Sequence, residues 1–382
     1  LLQSGLKPSS PEIRRLLPGV ETGKKGRKKE PELPVYQGRG GEWRLTTAER
    51  KRILLNNIYG VDIDHQAVEV TKLSLLLKVL EGENDETISK QLKLFQERAL
   101  PDLSNNIKCG NSLIGWNILK DNPGLTQEEI DRINPFDWDK EFPDIMQAGG
   151  FHVIIGNPPY VRIQVMKEWA PVEVEHYKQK YASASKGNYD IYVVFVEKGL
   201  SLLNEHGRLG FILPHKFFNV KYGQPLRELI ARGKNLSEIV HFGDQQVFSG
   251  ATTYTCLLFL NKAGSNSFLL KKVDDLSNWR STNNAIEGYI SSDSVTGAEW
   301  TFQVGSSAAL FDKLSKMPFK LSDIAERIFQ GIIPGADKVY AVKLINLDSR
   351  RARCFSRALN AEVDLEPIRH RLRLALYSTL LF

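Results

Sequence analysis

The amino-acid sequence predicts an α/β fold, a parallel, doubly wound sheet with helices on both faces. Three observations predict it. Short apolar runs recur at residues 57–64, 107–111, 151–156 and 208–213. Stretches of helical period lie between them, at 66–80 and 189–203, and such alternation builds parallel sheets with crossover helices. The runs also close on short polar side chains, Asp62 and Asp64, Asn111 and Asn157. In an open α/β sheet, ligands bind at the carboxyl ends of the strands.

Residues 1–45 read as loosely structured. They hold Pro8, Pro11, Pro18, Pro31 and Pro34, the basic run Gly23-Lys24-Lys25-Gly26-Arg27-Lys28-Lys29, and no sustained periodicity. The run reads better as a solvated segment than as a dedicated DNA-binding arm. Order is expected from Thr46, a capping residue ahead of a helical stretch. Residues 57–64 read as a buried strand, feeding a helix over 66–80 with Ala67, Val70, Leu73, Leu77 and Leu80 on one face. Residues 107–111 form a second strand end, and 151–156 a third strand, apolar on both faces. A helix follows over 189–203 and a strand over 208–213. Residues 238–242 and 253–260 lie close together without a helix between them, so an antiparallel hairpin should finish the sheet. Past about 265 the rhythm fades, which places a domain boundary near Lys262.

Composition narrows the function classes. At 382 residues, the chain can hold one large α/β domain with additions, or two to three domains. No apolar stretch is long enough to span a bilayer, and no secretory leader opens the sequence. A cytoplasmic protein with no membrane partner is therefore expected. Cys109, Cys256 and Cys354 are too widely spaced for a metal clip, and free thiols in a reducing compartment are expected. The seven histidines add no metal constellation. The net charge of +6 leans mildly toward a polyanionic partner.

Asn157-Pro158-Pro159-Tyr160, directly after the 151–156 run, carries the strongest chemical signal. The exocyclic nitrogen of adenine is a poor nucleophile because its lone pair is delocalised into the ring. A side-chain amide oxygen and a backbone carbonyl can together accept both of its hydrogens and aim the lone pair at an electrophile. Asn157 supplies the first acceptor. Pro158 has no amide hydrogen and stiffens the backbone that presents its carbonyl. Pro159 extends that rigid segment, and Tyr160 offers a flat ring for a base to stack on. The bland alternative is a proline-rich turn leaving a buried strand.

Residues 151–162 resemble the catalytic motif of amino-methyltransferases. Asn56-Asn57-Ile58-Tyr59-Gly60-Val61-Asp62-Ile63-Asp64, with Ala67-Val68 and Lys72-Leu73, is similar to the second motif of adenine-N6 DNA methyltransferases in single-chain type II restriction–modification and phage-defence systems. The resemblance covers about residues 35–365. It implies a Rossmann-like S-adenosylmethionine-dependent methyltransferase sheet with helices on both faces, followed by the start of a target-recognition domain. It also implies double-stranded DNA as the partner, whose adenine is flipped out of the helix and methylated. On this resemblance Asp62 accepts the ribose hydroxyls of S-adenosylmethionine and Ile63 packs on its adenine. Cys109-Gly110-Asn111-Ser112-Leu113 matches the third motif, so Asn111, with Ser112, contacts the cofactor's adenine amino group. Many relatives carry Asp at position 111, and an amide oxygen can make the same contact. Gln246-Val247-Phe248-Ser249-Gly250-Ala251 resembles the loop whose aromatic stacks on the extruded base, which makes Phe248 that ring beside Tyr160. Lys216 and Asn219 are candidate DNA-side residues.

Two departures from the family pattern shape the expectations. The glycine-rich loop that cradles the methionine part of the cofactor is missing upstream of the second motif. Gly23-Lys24-Lys25-Gly26 lacks the preceding apolar strand and is no substitute. Arg327-Ile328-Phe329-Gln330-Gly331-Ile332 and Gly335-Ala336-Asp337-Lys338-Val339 look like the start of a target-recognition domain, yet past Pro367 the pattern dissolves. These departures lead us to expect a basic, loose segment at 1–45, an incomplete catalytic domain at 46–262, a linker and partial recognition domain at 263–382, and an inactive fragment. The same tetrad also serves protein-glutamine and RNA adenine methylation, and a non-catalytic DNA-binding remnant is a further alternative.

Overall fold

The computed structural model describes residues 34–37, 41–81, 101–248, 253–319, 323, 342–347, 352–356 and 359–365. Two compact units, Leu1–Ala308 and Ala309–Phe382, are taken separately. The recognition-domain motif at 327–339 lies outside the described residues, as does the basic run at 23–29. Within 1–45, β1 (Val35–Gln37) pairs antiparallel with β2 (Trp43–Leu45).

Helix α1 (Thr47–Asn57) starts where Thr46 accepts the N–H of Glu49. Strand β3 (Gly60–Asp62) is shorter than the 57–64 run, because α1 still occupies Asn57 and the chain turns at Asp62. There the Asp62 carboxylate accepts the Asp64 N–H at 2.9 Å, and Asp64 in turn caps helix α2 (His65–Leu80) through Gln66 N at 2.7 Å. Strand β4 (Ile107–Cys109) lies parallel to β3.

Past a set of short helices come β5 (Phe151–Gly156), α3 (Ile163–Trp169), α4 (Pro171–Lys180), α5 (Tyr192–Leu202) and β6 (Leu203–Pro214). Helix α5 starts three residues later than the sequence suggests. Ile191 N donates to Val161 O and Ile163 N to Tyr189 O, which ties 189–191 to the segment after β5 before the helix begins. The unit continues with α6 (Gln224–Arg232), β7 (Leu236–His241), β8 (Thr255–Asn261), β9 (Ser267–Lys272), α7 (Leu276–Thr282) and β10 (Ile286–Ser291). The expected hairpin is present, with β7 and β8 antiparallel. The second unit contains β11 (Val342–Leu347), β12 (Ala352–Ser356) and β13 (Ala361–Leu365) in an antiparallel sheet.

The main sheet has six strands in the order β10-β9-β7-β8-β6-β5. It is mixed, and the antiparallel strand expected at its end lies inside it. Strands β5 and β6 are parallel, as are β7 and β9, while β8 inserts antiparallel between β6 and β7. The sheet runs past Lys262 through β9 and β10. Side-chain alternation divides its two faces. Ile239, Leu258 and Leu260 join the large core with Val193, Val194 and Val196 of α5 and Leu226 and Ile230 of α6. Val240, Leu257 and Phe259 face the other way, toward Leu276 and Trp279 of α7. Helices thus cover both faces of an α/β sheet.

Two expectations about burial are overturned. Helix α2 packs through Val68, Leu75, Leu76 and Val79 against Leu54 of α1 and Ile107 of β4. The face bearing Val70, Leu73 and Leu77 is open, each of these more than half exposed. Strand β3, expected to be buried, has no buried residue, and β5 is an edge strand among the described residues, with Val153 and Ile155 at 62% and 81% exposure.

Candidate active site

Strands β3, β4 and β5 end at one cavity of about 900 Å³, lined among others by Asp62, Ile63, Asn111, Ser112, Asn157, Pro158 and Pro159. The volume falls at the upper end of the range for ligand pockets. Local geometry brings these residues together. Gly110 N donates to Asp62 O at 2.8 Å, extending the β3–β4 ladder by one step. A Cβ on Gly110 would sit 2.6 Å from the Phe136 ring. Gly110→Ala is therefore expected to cost about 1–3 kcal/mol through overpacking, and a thermal melt indistinguishable from wild type would contradict this account of the strand end.

Asp62 is exposed, and its Oδ1 is committed to Asp64 N. No described hydrogen bond engages its second oxygen. Ile63 exposes 54% of its surface beside it. Asn111 is buried, and its Oδ1 accepts the Leu113 N–H at 3.1 Å. An amide oxygen has two lone pairs, so one further donor can be accepted there. Ser112 is held through its carbonyl, which accepts from Trp138 Nε1 at 2.9 Å.

At the end of β5, Pro158 is buried and Asn157 exposed. The Tyr160 hydroxyl lies 2.7 Å from Asn157 Oδ1 and 3.2 Å from Ile212 O. It has one proton, so it donates well to only one of them at a time. Burial, with the nearby Cys256, pushes the Tyr160 hydroxyl up to about 12, so it remains a donor throughout the neutral range. Asn157 thus has its amide oxygen oriented by the tyrosine three residues on. Tyr160 and Phe248 are not among the residues lining the cavity. Phe248, 37% exposed, sits in the loop after β7, and Lys216 and Asn219 are exposed just past β6.

Sequence reasoning missed part of the wall. Arg132 Nη2 and Glu173 Oε2 form an ion pair at 3.0 Å, with the glutamate side chain 5% exposed, and both line the cavity with Trp169 and Tyr177. No local pattern marks a pair 41 positions apart. Among the described residues, no group of three or more His, Cys, Asp or Glu could hold a metal ion, and no helix is long and apolar enough to cross a membrane.

Parallel strand pairs, β3–β4 and β5–β6, whose ends meet at one cavity with a carboxylate, an amide and an Asn-Pro-Pro-Tyr turn define a Rossmann-like protein with its ligand site at the strand ends. Residues 56–248 match the family model of the Eco57I restriction-modification methylases, and the chain belongs to that family. It is 36% identical over 311 residues to the type II restriction enzyme and methyltransferase RM.Eco57I of Escherichia coli, which covers 80% of this chain and 29% of that protein. It is 27% identical over 216 residues to the type II methyltransferase M.PaeR7I of Pseudomonas aeruginosa, covering 52% and 37% of the two chains. Against M.BstVI of Geobacillus stearothermophilus it is 26% identical over 220 residues, covering 52% and 38%. The chain thus spans well under half the length of these curated relatives.

Proposed function

We propose that this chain carries catalytic machinery of an S-adenosylmethionine-dependent DNA methyltransferase specific for the N6 nitrogen of adenine. The observation that carries the reading is the placement of Asn157, Pro158 and Pro159 at the end of β5, lining the cavity that also holds Asp62 and Asn111, with the Tyr160 hydroxyl behind them on Asn157. Membership of a restriction-modification methylase family and the type II methyltransferase names of its relatives support DNA as the substrate. A DNA-recognition role for residues within 263–382 belongs to the same proposal.

The residues present fit half of the cofactor well. The second oxygen of Asp62 suits a ribose hydroxyl, because a carboxylate makes strong charge-assisted hydrogen bonds. The exposed side chain of Ile63 suits an adenine face, and Asn111 with Ser112 suits an adenine edge. S-adenosylmethionine supplies an electrophilic methyl group when bound. Asn157 Oδ1 and the Pro158 carbonyl accept the two N6 hydrogens of the target base and turn its lone pair toward that methyl group. Tyr160 and Phe248 hold the faces of the extruded adenine.

Tritium transfer from methyl-labelled S-adenosylmethionine tests the reaction. Given duplex DNA, a protein carrying these 382 residues should leave the label in N6-methyldeoxyadenosine after digestion to nucleosides. Label in protein glutamine or in RNA, with none in DNA, would sink the reading. The role of Phe248 has its own test. Phe248→Ala should weaken base stacking by roughly 1–3 kcal/mol, while Phe248→Trp should be tolerated. A 2-aminopurine at the target position brightens on leaving the duplex and is quenched by an aromatic partner. Equal brightness with wild type and Phe248→Ala would make Phe248 a packing residue only.

A further inference from the structure

The loop that carries Phe248 is fastened at its base by two imidazoles. His241, the last residue of β7, accepts the Gly243 N–H at Nδ1, 3.0 Å away. His215, the first residue past β6, reaches the same glycine, with Nε2 3.2 Å from Gly243 O. A carbonyl can only accept, so His215 donates from Nε2. The His215 backbone N–H donates to Tyr254 O at 3.3 Å, and its ring lies nearly parallel to that of Tyr254 at 6.4 Å. The two histidine rings are 4.3 Å apart. A single residue therefore grips both ends of the segment between β7 and β8. Gly243 has φ of +59°, a left-handed conformation that glycine adopts without strain.

The loop is tied again further along. Gln245 donates to Val273 O at 2.6 Å and accepts from Leu276 N at 2.7 Å, and Arg280 donates to Val247 O at 3.0 Å. Phe248 is the next residue. The anchored stretch 243–247 thus ends on an exposed aromatic ring.

The charge state of the rings suits the arrangement. Burial, then the neighbouring His215 and Lys272, lowers His241 to about 4, and burial lowers His215. A neutral His241 has the lone pair at Nδ1 that its contact with Gly243 requires.

We propose that His215 and His241 are positioning residues, which clamp Gly243 and thereby set the Phe248 ring for an extruded adenine. The proposal rests on the base-stacking reading of Phe248. In the ring of a histidine, Nε2 occupies the place of a glutamine side-chain nitrogen. His215→Gln should therefore keep the contact, and His215→Phe should lose it while preserving the aromatic packing.

The test uses the 382-residue chain with 4-fluorophenylalanine at position 248. The fluorine spectrum should show one narrow resonance, which broadens or splits in His215→Phe and narrows again in His215→Gln. Amide exchange at 243–247 should rise roughly two- to tenfold in His215→Phe, the factor expected from one lost hydrogen bond, with melting behaviour near wild type. If the Phe variant does not fold, His241→Leu removes the contact from the other ring and should raise exchange at Gly243 by a similar factor. An unchanged resonance and unchanged exchange in a folded variant would overturn the clamp. A single-stranded oligodeoxyadenylate should shift the 248 resonance of the unsubstituted chain. No shift would overturn the stacking role of Phe248 instead, whatever the exchange data say of the clamp.

Discussion

Asn157→Ala is expected to slow methyl transfer to DNA by about a hundredfold or more, the loss found when a well-aimed polar group is removed from a developing charge. Cofactor binding should change little, because the groups fitted to the cofactor are Asp62, Ile63, Asn111 and Ser112. The geometry sets the size of the effect. Asn157 Oδ1 lies 2.7 Å from the Tyr160 hydroxyl, so the amide is held in one orientation before any base arrives. Such preorientation lets an acceptor stabilise the transition state without reorganising. Removing it leaves the Pro158 carbonyl as the only acceptor for two N6 hydrogens, and the nitrogen keeps its planar, unreactive form. Tyr160→Phe removes the orienting hydroxyl but keeps the ring, and should cost far less. Single-turnover transfer from saturating S-adenosylmethionine measures both variants in a protein active without them. Near wild-type transfer by Asn157→Ala would remove this residue from the chemistry.

The parts of the site that the sequence disclosed are those written in short, local signals. A few apolar residues closed by an acid or amide mark a strand end, and Asp62, Asn111 and Asn157 each terminate or directly follow such a run. Capping residues fix helix starts equally locally, as Thr46 and Asp64 do. What stayed hidden is non-local. Periodicity shows that Val70, Leu73 and Leu77 share a face of α2, but not what covers it. The helix packs through Val68 and Val79 instead. The insertion of β8 between β6 and β7 depends on pairing across the sheet, to which the hairpin pattern alone is blind. Strands β9 and β10 are six residues each and come after the strongest periodic segments, so periodicity does not extend the sheet to them. The Arg132–Glu173 pair and the two histidines beneath the Phe248 loop meet only in the folded chain. Isolated residues of those types carry no pattern until their partners are known.

The same structure leads us to expect weak binding of S-adenosylmethionine by the 382-residue chain. Among the described residues, β3 is paired only to β4 and β5 only to β6, and residues of both strands line the same cavity. Both pairs are parallel, so the two free edges suit a further parallel strand. On the faces of β5 the apolar side chains of Val153 and Ile155 stand exposed, as does Ile63 just past β3. Of the described glycines that line the cavity, Gly60, Gly110, Gly156 and Gly199, none has the positive φ that favours a tight glycine turn, the arrangement by which backbone amides approach a carboxylate closely. A hydrogen bond to a charged group contributes about 1.5–3 kcal/mol. The lack of two such bonds would weaken binding by roughly a hundredfold to ten-thousandfold. Asp62 alone does not make up that difference, since its ribose contact is one interaction of the same size. A segment bearing an apolar strand and a glycine turn, fused to the chain or added separately, should restore binding and bring methyl transfer with it. It should also cover Val153 and Ile155, which can be followed by amide exchange along β5. Titration calorimetry of the chain by itself decides the matter, because low-micromolar affinity without the added segment would mean that the described cavity already holds the whole cofactor.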